Sequence, residues 1–146
     1  MSKIIRREIL IPQPREQVWR ALTNSASLAE WMFPNDFAPH VGHQFTFRVP
    51  PNPKVGFDGL VVRCVVLECE PLNRLAFSWA VAGSGDTRVS FQLESDGEGT
   101  RLLLEHSGFD LVQGWSEQAI QGAQYGWAKM LKELPAVVMS LATDNH

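Results

Sequence analysis

At 146 residues, with 45% apolar and 20% charged residues, the chain has the length and composition of one globular domain with a full core. A net charge of −3 without a basic block gives no footprint for nucleic acid. Arg6, Arg7 and Glu8 stand where a signal peptide needs apolar residues, and no run approaches the roughly 20 apolar residues of a membrane span.

Residues 3–11 read as a first strand, ended by Pro12 and Pro14, the latter suited to a first helical position. Val18, Trp19 and Leu22 follow at helical spacing within 15–23. Asn24 or Ser25 can cap a second short helix over 26–32, with Leu28 and Trp31 on one side. Residues 33–42 carry two prolines and a glycine and read as loop. In 43–49, His43, Phe45, Phe47 and Val49 alternate with polar residues, as a half-buried strand does. After the proline-rich loop PPNPKVGFDG, the run 59–70 is apolar on both faces and fits a central strand. Three further alternating runs follow: Leu75, Phe77, Trp79; then Val89, Phe91, Leu93; then Leu102, Leu104, His106. The last two are joined by the hairpin signal SDGEG. A long amphipathic helix is expected over 116–141, with Ala119, Ala123, Trp127, Met130 or Leu131, Leu134, Val138 and Leu141 as its apolar stripe. Pro135 is expected to kink it or to break it in two. Cys64 and Cys69 lie five apart on one expected strand, hence on opposite faces, and read as reduced thiols of a cytoplasmic protein. The whole is an α+β domain over residues 1–146. Its curved antiparallel sheet of six strands, in the order β-α-α-β-β-β-β-β-α, wraps a long C-terminal helix.

That order resembles the START-like, or SRPBCC, superfamily, the helix-grip fold of the Bet v 1 allergens and polyketide cyclases. Within it the chain is similar to the branch of homologues of the activator of heat-shock-protein-90 ATPase. The pieces that carry the resemblance are PREQVWRALTNSASLAEWMFP, VGHQFTF, VVLECEPLNRLAFSW, GTRLLLEHSGF, and Gly126-Trp127 followed by Leu131 and Leu134. Together they run from about residue 8 to residue 138. The resemblance implies a cavity for lipids, sterols, hormones or polyketide-like molecules between sheet and helix. The further N-terminal domain of the true chaperone activators is not expected in 146 residues.

Alternation places Phe45, Phe47, Phe77, Trp79, Phe91, Leu102, Leu104 and His106 on one inner face. Val61, Arg63, Val65 and Leu67 join them if their register is the same, although a slip of one residue reverses each assignment. Trp31, Phe33, Trp79 and Phe109 are the expected aromatic lining at the mouth, with Met130 on the helix. His106 reads either as a ligand-facing hydrogen-bonding or acid–base group or as a structural histidine at a strand end. Arg63 reads as a carboxylate anchor or as a rim residue. Tyr125, the single tyrosine, reads as a cavity hydroxyl or a surface residue. Gly122 and Gly126 each weaken the helix relative to alanine, which points to room for a ligand or, by a small margin, to close backbone packing. Asp36, His40 and His43 have no recognised metal spacing, and no metal or cofactor is expected.

The expected function is binding of a small, largely apolar molecule, whether lipid, aromatic or polyketide-like. A cyclase- or hydrolase-type enzyme using the same cavity is the second reading. A chaperone-interacting module is the third, and a homodimer is left open.

Overall fold

Alternating strands need a partner layer for their apolar face, and the long helix supplies it. The structure, a computed structural model, describes residues 4–56, 58–81, 85–109 and 116–144. Strand β1 (Ile5–Ile11) leads into helices α1 (Arg15–Thr23) and α2 (Ser25–Trp31). Strands β2 (Gln44–Val49), β3 (Leu60–Glu70), β4 (Arg74–Val81), β5 (Thr87–Asp96) and β6 (Gly99–Ser107) follow, then helix α3 (Glu117–Asp144). The strands form one antiparallel sheet in the order β1-β6-β5-β4-β3-β2. This is the expected helix-grip arrangement. No described helix is long and apolar enough to cross a membrane.

Local chemistry sets the helix ends. Asn24 accepts the Ser27 N–H through its side chain at 3.0 Å and caps α2. Ser116 Oγ accepts the Ala119 N–H at 3.0 Å, and Glu117 stands in the first turn of α3, where negative charge suits the helix dipole. Pro14 carries the capping carbonyl of α1 rather than the first helical position. Pro135 does not break α3, which is helical through it. Buried Leu131 and Leu134 before the proline, with Val137 and Val138 after it, hold the helix to the core across the missing hydrogen bond. The apolar stripe runs through Ile120 instead of exposed Ala119.

The inner face of the sheet carries Phe45, Phe47, Phe77, Trp79, Phe91, Leu102, Leu104 and His106, all buried as alternation requires. The register of β3 is the reverse of the one assumed. Phe45 pairs with Cys64 and Phe47 with Val62, so Val62, Cys64 and Val66 face inward, and Val61, Arg63, Val65 and Leu67 face out. A strand apolar on both sides carries no parity signal of its own; its neighbour's phenylalanines decide. The expectation for the cysteines also changes. A bulge between Val66 and Glu68 adds a residue, so Cys69 pairs with core Leu75 and shares the face of Cys64. Both thiols are free, and burial pushes both up in pKa, Cys64 beyond the titrating range. On the outer face Glu68 bridges Arg88 at 2.6 Å and Arg74 at 3.4 Å, exposed pairs that add little to stability.

Candidate functional site

The site is built from strand ends. Because neighbouring strands are antiparallel, Val49 pairs with Leu60, Val62 with Val81, Trp79 with Thr87, and Arg88 with Ser107. All therefore lie at one end of the sheet, where α3 begins. The opposite end holds the β3–β4 turn, and α1 caps it: Arg15 donates to the Leu72 carbonyl at 3.4 Å and to Asn73 Oδ1 at 3.0 Å.

Helix α3 covers these two ends unequally. Its first ten residues, 117–126, bury a single side chain, Ile120. From Trp127 onward it buries Trp127, Leu131, Leu134, Val137 and Val138. Around the thinly covered end stand half-buried apolar residues packed against the core: Phe33, Val49, Leu60, Val81, Ala123 and Met130. A Cβ built on Gly122 or Gly126 meets nothing within 4 Å, so close backbone packing does not account for these glycines.

Aromatic rings form the floor. Trp79 lies 5.6 Å from Phe47 and 5.7 Å from Trp127, centroid to centroid, and Phe91 lies 6.0 Å from both Trp31 and Trp127. Such edge-on and tilted contacts suit ring quadrupoles.

One polar chain crosses this floor. The Trp127 Nε1–H donates to His106 Nδ1 at 3.1 Å; His106 Nε2 lies 2.7 Å from Thr87 Oγ1; and Thr87 Oγ1 donates to the Trp79 carbonyl at 2.9 Å. The protons follow from the donor inventory. Indole N–H can only donate, so His106 Nδ1 is bare. The Thr87 hydroxyl hydrogen is spent on a carbonyl, so Thr87 accepts from His106, and Nε2 carries the proton. His106 is fully buried and neutral, its pKa pushed down to about 3 by burial. Protonating Nδ1 would set two donors face to face. The imidazole's basic nitrogen is occupied, and His106 pins α3 to the sheet instead of offering a free general base.

The expected site residues thus fall into three groups. Phe45, Phe47, Phe77, Phe91 and Leu104 are inner-face core, and Trp31 belongs with them, its indole N–H bonded to the Ala21 carbonyl at 3.0 Å. Trp79, His106 and Phe109 are buried near the thinly covered end, with Phe109 4.5 Å from His106, and Phe33 and Met130 are half-buried. Arg63 and Tyr125 leave the site: Arg63 is exposed on the outer face of β3, and Tyr125 is 73% exposed on α3. Thr87 and Trp127 were absent from the expected site. Thr87 shares the parity of Val89 and Phe91, the same signal that marked His106.

The expected loop residues Asp36 and His43 make local contacts. Asp36 Oδ1 accepts the Thr46 N–H at 2.7 Å, which lowers the pKa of its carboxyl, and His43 Nε2 lies 2.9 Å from the Asp36 carbonyl. Among the described residues no three His, Cys, Asp or Glu side chains converge as metal ligands. A separate depression of about 290 Å³, lined by Leu10, Ile11, Pro12, Asp96, Gly99 and Thr100, opens beside the β5–β6 turn at the opposite end and includes no part of the polar chain.

The sequence profile of the family described as "Activator of Hsp90 ATPase homolog 1-like protein" matches residues 12–139. The chain belongs to this family. The crystal structure of protein MLL2253 from Mesorhizobium loti is similar, at 31% identity over 94% of this chain and 98% of that one, with a TM-score of 0.80. CalU16 from Micromonospora echinospora shares the fold at 24% identity over 99% of this chain and 91% of its own, TM-score 0.71. DynU16, described as a protein in the dynemicin biosynthetic locus, shares it at 23% identity over 93% of this chain and 47% of its own, TM-score 0.76. A search of the curated proteins returns no match.

Proposed function

We propose that this protein binds a small, largely apolar molecule between the sheet and the N-terminal turns of α3. The observation that carries the reading is the concentration of half-buried apolar residues at one end. Val49, Leu60 and Val81 close three neighbouring strands there, above the buried Trp79–Trp127 contact, while the first ten residues of α3 bury only Ile120. An apolar guest would complete burial that the helix leaves unfinished. Each Å² of apolar surface removed from water is worth about 25 cal/mol before the cost of association is met. The family's fold is compatible with such a guest, and Phe33, Trp79, Phe109 and Met130 are its nearest expected contacts.

The test uses the neutral dye N-phenyl-1-naphthylamine, whose emission rises in apolar surroundings. Emission should rise with the unaltered protein. Ala123→Trp, which fills the space one helical turn before Trp127, should weaken the dye's binding about tenfold or more while the fold persists. Emission that stays flat, or a rise that Ala123→Trp leaves intact, contradicts the proposal.

A further inference from the structure

We infer that the first ten residues of α3, 117–126, are a lid that unwinds as a unit while the helix from Trp127 onward stays docked. The lid's part in admitting a guest rests on the ligand-binding reading above, whereas the unwinding stands on the helix alone. Trp127 is the fixed point. It is 1% exposed, donates its indole N–H to His106 at 3.1 Å, and packs against Trp79 and Phe91. Beyond it Leu131, Leu134, Val137 and Val138 are all buried. Before it only Ile120 is buried, and seven of the ten residues are exposed, so the core holds this segment at one side chain.

Ten residues of helix do not hold themselves. Isolated helices shorter than about 12–15 residues are marginal in water, so packing has to supply the stability, and here it supplies little. Gly122 and Gly126 weaken the segment further, since glycine ranks well below alanine in a helix. A Cβ on either would meet nothing within 4 Å, so neither glycine makes room for a neighbour. What they do supply is backbone freedom, and Gly126 stands directly before the pinned Trp127. A stretch with few buried contacts opens at a lower free energy than the whole fold. The opening has a use. Trp127 and Trp79, 1% and 8% exposed, are covered in the closed form, so a guest reaches the floor they share only after a covering element moves. Of the described elements at this end, residues 117–126 are the part of α3 least held by the core, and half-buried Ala123 leaves with them.

Amide hydrogen exchange of the unliganded protein, read by NMR and corrected for intrinsic rates, tests the unwinding. Helical amides donate four residues back, so those up to Met130 lose their acceptors when the chain unwinds through Gly126, and Leu131, bonded to Trp127, is the first to keep its own. Protection should be similar from Gln121 to Met130, then rise about a hundredfold or more at Leu131. Low urea should speed exchange at Leu131, Leu134 and Val138 and leave the faster group unchanged, because local opening exposes little surface. Protection that climbs steadily through Trp127 marks ordinary end fraying, and protection equal on its two sides marks a helix that opens only with the whole fold; either overturns the lid. Gly122→Ala with Gly126→Ala favours the wound helix. The pair should slow exchange over Gln121–Met130 about tenfold, and slow the association rate of N-phenyl-1-naphthylamine by the same factor. Slower exchange with an unchanged association rate overturns the gating and leaves the dye site standing. Failure of the dye to bind the unaltered protein, with the step at Leu131 present, overturns the ligand reading and supports the unwinding.

Discussion

At the end of the sheet where β3 turns into β4, α1 is tied down by Arg15, and α3 runs past it burying Leu131, Leu134, Val137 and Val138. At the other end, beside the last residues of β2 and β4 and the first of β3, the first ten residues of the same helix bury one side chain, Ile120. Trp127, hydrogen-bonded to His106, marks the change between them. The comparison separates two tasks that one helix performs. Its second half completes the core, and its first half leaves half-buried apolar residues at the end where we propose that a guest binds.

The largest effect that would break this comparison is expected from acid. The folded protein keeps His106 neutral with a pKa of about 3, whereas the unfolded imidazole titrates near 6.5. Between these values the unfolded chain binds the extra proton, so stability falls as pH drops through the window. This group alone should cost at most about 1.4 kcal/mol per pH unit, with no loss above about pH 6.5. His106 ring resonances that stay constant from pH 8 to about 4, with denaturant midpoints falling over the same window, would bear this out; a His106 midpoint near 6.5 would contradict the pin.

Next in size are paired truncations of α3. Leu134→Ala, at a fully buried position, should cost about 2–5 kcal/mol in urea unfolding. Ile120→Ala should fall at or below the lower end of that range, because Ile120 is the one buried side chain of the first ten residues of α3 and is itself less fully buried than Leu134. Equal losses would erase the distinction between the halves.

The smallest effect is a gain. Gly122→Ala adds a Cβ that meets nothing within 4 Å, on an exposed helical position. It should stabilise the protein by about 0.5–1 kcal/mol, read as a raised melting temperature.

Much of this was legible from residue order. Alternation in β2, β4, β5 and β6 fixed the inner face because large apolar residues alternate with polar or, in β4, small ones, and His106 stood out by sharing its parity with Leu102 and Leu104. Strand β3 was not legible, since Val61, Val62, Val65 and Val66 offer either face equally, and its bulge at Val66–Glu68 cannot be counted from sequence. Tyr125 misled for a helical reason. It lies two residues from buried Trp127, about 200° round the axis, and so faces solvent. The glycines misled because packing was assumed along the whole of α3, and only its second half packs. The proton arrangement of the polar chain needed coordinates, since it depends on Trp127, Thr87 and His106 meeting from three different elements.

The most direct test of the account is a backbone and methyl NMR titration with 2-methylnaphthalene. We expect the largest shifts at Val49, Leu60, Val81, Ala123 and the Trp79 indole, with Leu134 and Val138 unmoved. Shifts centred on the Arg15–Asn73 end, or on the outer face around Arg63, would contradict it.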